Sequence, residues 1–287
     1  MADVEVNSWV DLIDALYDIP QTSLGRYRSS LLYRGVCDSS WSLETSLYRL
    51  GPHHASVEEP LLRSFRKYAE PGSLGADSLW MMLSMAQHHG VPTRLLDWTL
   101  APRVAAHFAT SNEQRYDRDG AIWCVDVVRA RDLLPKRLRD ILDREDAFYF
   151  SVEMLSGIGS LQELDAYAAD GEFALFFEPP SLDARIVNQA AAMSVMPGAS
   201  LSIAGFLEAH PDLWSRIIIP AKLKWEIRDK LDQDNVTERL LFPGLDGLAR
   251  WLTRYYGRGP ADDVDRAGSE VPREVPGEAS PGQPGPR

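Results

Sequence analysis

The sequence predicts an α+β fold, a mixed, mainly antiparallel sheet surrounded by helices, with a disordered C-terminal tail. Three observations carry that prediction. Short β-branched or aromatic runs, among them residues 31–33, 121–128 and 217–219, have the length of buried strands. Between them stand segments whose apolar residues fall at helical spacing. From residue 258 the composition turns to Gly, Pro, Asp, Glu and Arg, with too few apolar side chains to offset the entropy of ordering. The expected organisation is therefore one domain over 1–257 and a tail over 258–287.

The 287 residues are 45% hydrophobic and 25% charged, enough to bury a sizeable core. A net charge of −12 repels phosphate backbones and argues against nucleic acid as a partner. Two cysteines, Cys37 and Cys124, leave a disulfide open, but reduced thiols are the simpler reading at this size. With no basic-plus-apolar leader and no run of membrane-spanning length, the expectation is a soluble cytoplasmic protein without a membrane partner.

Along the chain, Trp9, Ile13, Leu16 and Tyr17 form one helical face behind Ser8 as cap. Residues 29–35, SSLLYRG, read as a buried strand ending in Arg34-Gly35, and 38–57 as a long loop. Helices are expected over 58–69 and 77–89, the second capped by Asp77 or Ser78 and stopped by Gly90 and Pro92. A short strand over 94–98 and a helix from Ala101, with Pro102 in its first turn, complete the densest stretch of the chain. A strand over 121–128, an inserted helical layer over 129–170 and a strand over 173–177 follow. Residues 183–195 suggest one or two strand pieces around Gln189. The remainder reads as a helix over 202–209, a strand over 215–220, and helices over 221–231 and 246–256. The last of these has Leu248, Trp251, Leu252 and Tyr255 at core spacing.

Polar residues gather at the joints of these elements. Arg34, at a strand end, is costly to bury alone, so it meets either an anion or a structural carboxylate. His89 continues the apolar stripe of its helix, which leaves His88 as the freer imidazole. Gln189 is either a satisfied core amide or a ligand contact. Asp97 either neutralises Arg34 or Arg94 or stands in a pocket as its acidic group. Trp98 is expected to anchor the core. No metal site is expected, because His53-His54 and His88-His89 lack ligand spacing and no CxxC or HExxH occurs. Neither a GxSxG elbow, a P-loop nor a dinucleotide fingerprint is present, and Cys124 in an apolar run is a poor nucleophile.

Four segments, LYRG at 32–35, QHHGVPTRLLDWT at 87–99, RIVNQ at 185–189 and LLFPGLDGLA at 240–249, together resemble the FRG-domain family, named for an aromatic-Arg-Gly motif that is Tyr33-Arg34-Gly35 here. The resemblance extends from about Trp9 to Tyr256. One departure is Ala190-Ala191-Ala192, where the family tends to a Gly-containing strand after the Gln. A weaker resemblance is to the ADP-ribosyltransferase superfamily, whose sites begin with an aromatic-Arg strand, continue through a Ser-Thr-Ser strand and helix, and close on a strand opened by a glutamate. That resemblance implies catalytic roles for Arg34, Thr99 and Gln189, with Tyr33, His88, Arg94 and Asp97 as substrate-binding residues. It implies NAD or a related nucleotide as partner, no bound cofactor, and a setting such as a bacterial toxin or anti-phage effector. An amide at Gln189 in place of the glutamate forfeits a few kcal/mol of transition-state stabilisation. A non-catalytic protein-binding or regulatory module is therefore the alternative.

Overall fold

Ser8 opens the first helix as expected, its Oγ accepting from the Asp11 N–H at 3.1 Å, and α1 runs Trp9–Tyr17 with Leu12 and Leu16 buried. The structure, a computed structural model, describes residues 3–69 and 78–257, so the expected tail lies outside the described residues. One eight-stranded sheet organises the rest: β1 (Val4–Glu5), β2 (Leu31–Val36), β3 (Leu96–Thr99), β4 (Gly120–Asp126), β5 (Phe150–Ser151), β6 (Leu175–Glu178), β7 (Ala191–Val195) and β8 (Trp214–Ile219). Their spatial order is β1-β8-β4-β2-β3-β7-β6-β5. The two outermost pairs, β1 with β8 and β5 with β6, are parallel, and all the inner pairs are antiparallel. The sheet is thus mixed and mainly antiparallel, and the fold is α+β.

The pleat sorts the core. Leu32 and Val36 of β2 join Trp123 and Val125 of β4 on one face, while Tyr33 joins Ile122 and Cys124 on the other. Against the first face packs α9 (Ile203–Ala209); against the second pack α1, α4 (Pro102–Ala109) and α10 (Lys224–Gln233). The far end of the sheet is covered by α2 (His54–Tyr68), α3 (Leu79–His88), α6 (Lys136–Glu145) and α7 (Leu161–Ala166) around Trp80, Leu138 and Phe177. Both cysteines are free and buried, and burial pushes the Cys124 thiol up to about 12. Trp98 is the core anchor its position suggested: 3% exposed, its Nε1 donating to Ser194 Oγ at 2.8 Å.

Four expectations need correction. The strand over 121–128 stops at Asp126, whose carboxylate caps α5 (Val127–Asp132) from the Val128 and Arg129 N–H groups, so Val127 and Val128 turn helical despite their β-branching. The loop over 38–57 is shorter, because α2 already starts at His54; Glu58 lies within it, buried beneath Arg94. The segment before Gln189 is a helix, α8 (Ala184–Asn188), capped by Asp183, and Gln189 ends it two residues before β7 begins. Between them Ala190 takes a left-handed φ of 43°, the conformation that a glycine would adopt without the Cβ clash.

The fourth correction is the last helix, α12 (Leu245–Tyr255), which turns its polar side inward. Gly247 and Arg254 are buried, while Leu252 is 38% and Tyr255 55% exposed. A Cβ at Gly247 would lie 1.8 Å from the Phe242 carbonyl oxygen, so only glycine permits the close approach to α11 (Glu238–Leu241). Arg254 is drawn in by Glu238 and Asp232. Charge pairing and backbone proximity outweigh the apolar stripe.

Candidate functional site

Strands β2 and β3 pair at one position, Tyr33 with Thr99, and then separate. Gly35 explains how β2 is held after that point. A Cβ there would lie 1.9 Å from the Ala105 carbonyl oxygen and 2.5 Å from the Ala109 nitrogen, so α4 rests directly on the β2 backbone. Where the ladder is lost the Arg34 side chain spans the gap, Nη1 donating to the Asp97 carbonyl at 2.5 Å. A cleft of about 250 Å³ opens here, walled by β2, β3, the end of α3, α8 and the Phe242 turn.

Tyr33, Arg34, His88, Asp97, Thr99 and Gln189 all line this cleft, although they come from four separate stretches of chain. Their polar atoms are not equally available. Tyr33 turns its hydroxyl away, to Ser29 Oγ at 3.2 Å and the Leu16 carbonyl at 3.5 Å. Thr99 Oγ1 donates to the Gln189 carbonyl at 2.6 Å and accepts from the Ala101 N–H at 3.0 Å, tying β3 to the end of α8 and to the start of α4. Gln189 spends its amide N–H on the Leu241 carbonyl at 2.9 Å, beside Asn188, which donates to the Leu240 carbonyl at 2.7 Å. A glutamate could not make that donation, which is a structural reason for the amide at this position.

The Asp97 carboxylate pairs with neither arginine. It accepts from Gln87 Nε2 at 2.8 Å, and Gln87 Oε1 in turn accepts from Thr93 Oγ1 at 2.6 Å. His88 Nε2 meets Asp183 Oδ2 at 2.8 Å. Burial nonetheless pulls its pKa below the ordinary value, Asp183 only partly offsetting it. The expected roles of the two histidines exchange: His89, after the helix has ended, is exposed, and His88 is the one built into a wall. Arg94 is the one expected residue outside the cleft lining. It is buried, with Nε on Glu58 Oε1 at 2.7 Å, Nη2 on Glu58 Oε2 at 2.5 Å and Nη1 on Asp165 Oδ1 at 2.5 Å, a fork fully satisfied by two acids.

Arg34 has no such partner. Its Nε is covered and lacks a hydrogen bond, and among the described residues no carboxylate lies within ion-pair distance of it. Burial lowers its pKa from the ordinary value, with Asp97 acting the other way.

Residues 29–118 match the model of the FRG domain. An FRG domain is present. It contributes Tyr33, Arg34, Gly35, Gln87, His88, Asp97, Thr99 and Phe108 to the cleft. Gln189, Arg185 and Phe242 come from beyond the matched span and close it from the other side. No curated protein and no solved structure matches the chain. Sequence reasoning did not single out Gln87, Phe108, Arg185 or Phe242. Arg185 and Phe242 sit inside the RIVNQ and LLFPGLDGLA segments, but nothing local to either segment says that they face Arg34.

Among the described residues no group of three or more His, Cys, Asp or Glu is placed to hold a metal ion, and no helix is long and apolar enough to cross a membrane.

Proposed function

We propose that the cleft of this FRG-domain protein binds a nucleotide-type anion, with NAD and ADP-ribose as the first ligands to test. The observation that supports this is Arg34: a guanidinium in a cleft wall with a covered, unpartnered Nε and, among the described residues, no carboxylate within ion-pair distance, although Asp97 lines the same cleft. A cation there that Asp97 offsets only in part costs free energy that a bound anion returns through charge-assisted hydrogen bonds. A cavity of about 250 Å³ is small for a whole dinucleotide, so one half of such a ligand would be enclosed and the other left at the rim.

A specific observation favours binding over ADP-ribosyl transfer. Thr99 Oγ1 and the Gln189 side-chain nitrogen, from the expected catalytic partners of Arg34, are committed to the protein frame, and the carboxylate in the cleft lining is that of Asp97. Calorimetry tests the reading. NAD or ADP-ribose should give a saturable heat that Arg34→Ala abolishes while the melting temperature holds. No heat at protein concentrations able to detect millimolar affinity would sink it and leave the protein-binding module.

A further inference from the structure

We infer that Arg185 is a second anion-binding residue of this cleft, and that the group it holds together with Arg34 is a phosphate-type dianion. The ligand family rests on the nucleotide reading above; the residue rests on separate observations.

Arg185 belongs to α8, outside the FRG match, and lines the cavity that Arg34 lines from β2. Its guanidinium stands 5.2 Å from the centre of the Phe242 ring, and Nη1 donates to the His88 carbonyl at 3.3 Å. The carboxylate nearest in sequence is occupied elsewhere. Asp183 Oδ2 holds His88 Nε2 at 2.8 Å, and Asp183 Oδ1 accepts from the Ile186 N–H at 3.1 Å to cap α8. Burial resists ionisation of Asp183, but that cap and His88 outweigh it and hold its pKa below the ordinary value. Among the described residues no acid forms an ion pair with Arg185.

Two guanidiniums thus border one small cavity with backbone carbonyls as their hydrogen-bond acceptors, in a chain carrying 42 acidic residues. Like charges so placed repel, and a singly charged carboxylate can satisfy one planar fork. A phosphate group offers more than one anionic oxygen and can accept from both forks. Phe242 holds the Arg185 head against its ring, which lowers the entropy lost when the ligand arrives.

The test is calorimetry on the full chain with AMP, ADP-ribose, adenosine and pyrophosphate, comparing the wild type with Arg185→Met, which keeps the apolar stem. The expected result is that AMP and ADP-ribose lose about tenfold to a hundredfold in affinity, the range for a hydrogen bond to a charged group. Adenosine, which has no phosphate, should be indifferent to the change. Equal affinity of both proteins for AMP and ADP-ribose would overturn the inference and leave the nucleotide reading intact. Equal weakening of adenosine and AMP would assign Arg185 to the shape of the cleft and overturn it as well. If no nucleotide binds, the nucleotide reading fails by itself, and pyrophosphate decides the inference: heat that Arg185→Met removes supports it, and no heat ends it. Should Arg185→Met not fold, Arg185→Lys, charged but without the fork, is read in its place; reduced affinity for AMP supports the inference and unchanged affinity overturns it.

Discussion

The cleft and the polar network beneath α12 each contain two arginines, and they treat them in opposite ways. In the network Arg228 and Arg254 meet Glu238 and Asp232: Arg228 Nη2 reaches Glu238 Oε1 at 2.7 Å, and Arg254 reaches both Glu238 oxygens and Asp232 Oδ1 at 2.6–2.9 Å. His107 completes it, its Nδ1 accepting from Arg228 Nη1 at 2.6 Å. Two cations therefore meet two carboxylates and one neutral ring. In the cleft, Arg34 and Arg185 meet two backbone carbonyls and no carboxylate. Arg94, forked onto Glu58 and Asp165, follows the network and not the cleft. Pairing marks an arginine that holds the fold together, and the two arginines of the cleft lack it.

The network also supports the cleft. Glu238 opens α11, whose Leu240 and Leu241 carbonyls receive the Asn188 and Gln189 amides. The geometry of the Gln189 wall thus depends on charges that lie outside the cleft lining.

The largest effect should come from breaking the paired side. Glu238→Ala strands Arg228 and leaves Arg254 with Asp232 alone, and removing one partner of a buried pair costs about 3–5 kcal/mol. Urea unfolding should show that loss; a change under 1 kcal/mol would mean that solvent reaches the network.

Acid should act on the same region. Burial, reinforced by Arg228, pushes His107 down to about 3, so the unfolded chain binds its proton first. The stabilisation is complete above the unfolded value near 6.5 and is lost as pH falls from there towards 3, at up to about 1.4 kcal/mol per pH unit. Burial opposes ionisation of Glu238, yet Arg254 and Arg228 hold it at about 2, adding a second loss as pH falls below the ordinary carboxylate range. Between pH 7 and 5 the wild type should lose urea stability more steeply than His107→Gln, whose amide oxygen can still accept from Arg228. Parallel slopes would refute the assignment.

Gln189→Glu separates frame from chemistry. A carboxylate loses the donation to the Leu241 carbonyl and faces its oxygen instead, which should cost about 1–3 kcal/mol. Unchanged stability together with a gain in NAD turnover would reverse that view of Gln189.

The smallest effect is expected from the unpaired side. Arg34→Met removes one hydrogen bond, to the Asp97 carbonyl, and relieves a buried charge that Asp97 offsets only in part. The two should nearly cancel, leaving stability within about 1 kcal/mol of the wild type. A loss as large as that of Glu238→Ala would show that Arg34 is as structural as Arg228, and the contrast between the two regions would collapse.

Much of the fold was determined by local sequence. Ser8, Ser78, Ser160 and Ser202 cap helices because a hydroxyl satisfies an N–H group that the helix leaves free, and Ile217 and Ile219 of β8 are buried because the pleat turns alternate residues of the β-branched run to one core face. Tyr33-Arg34-Gly35 and Asp97-Trp98-Thr99 announced themselves as joints for the same local reason. What the tertiary structure decided was partnership. Whether Arg34 or Arg94 would find a carboxylate depended on Glu58 and Asp165, and nothing near residue 94 in sequence specifies that Asp165 comes within 2.5 Å. The strand piece expected before Gln189 became a capped helix because Asp183 satisfied its N-terminus, while the piece after it is β7, and α12 left Leu252 and Tyr255 outward because Gly247 and two distant acids pulled the other side in. Propensity acts over a few residues, whereas charge pairing and close backbone approach act between segments that meet only after folding.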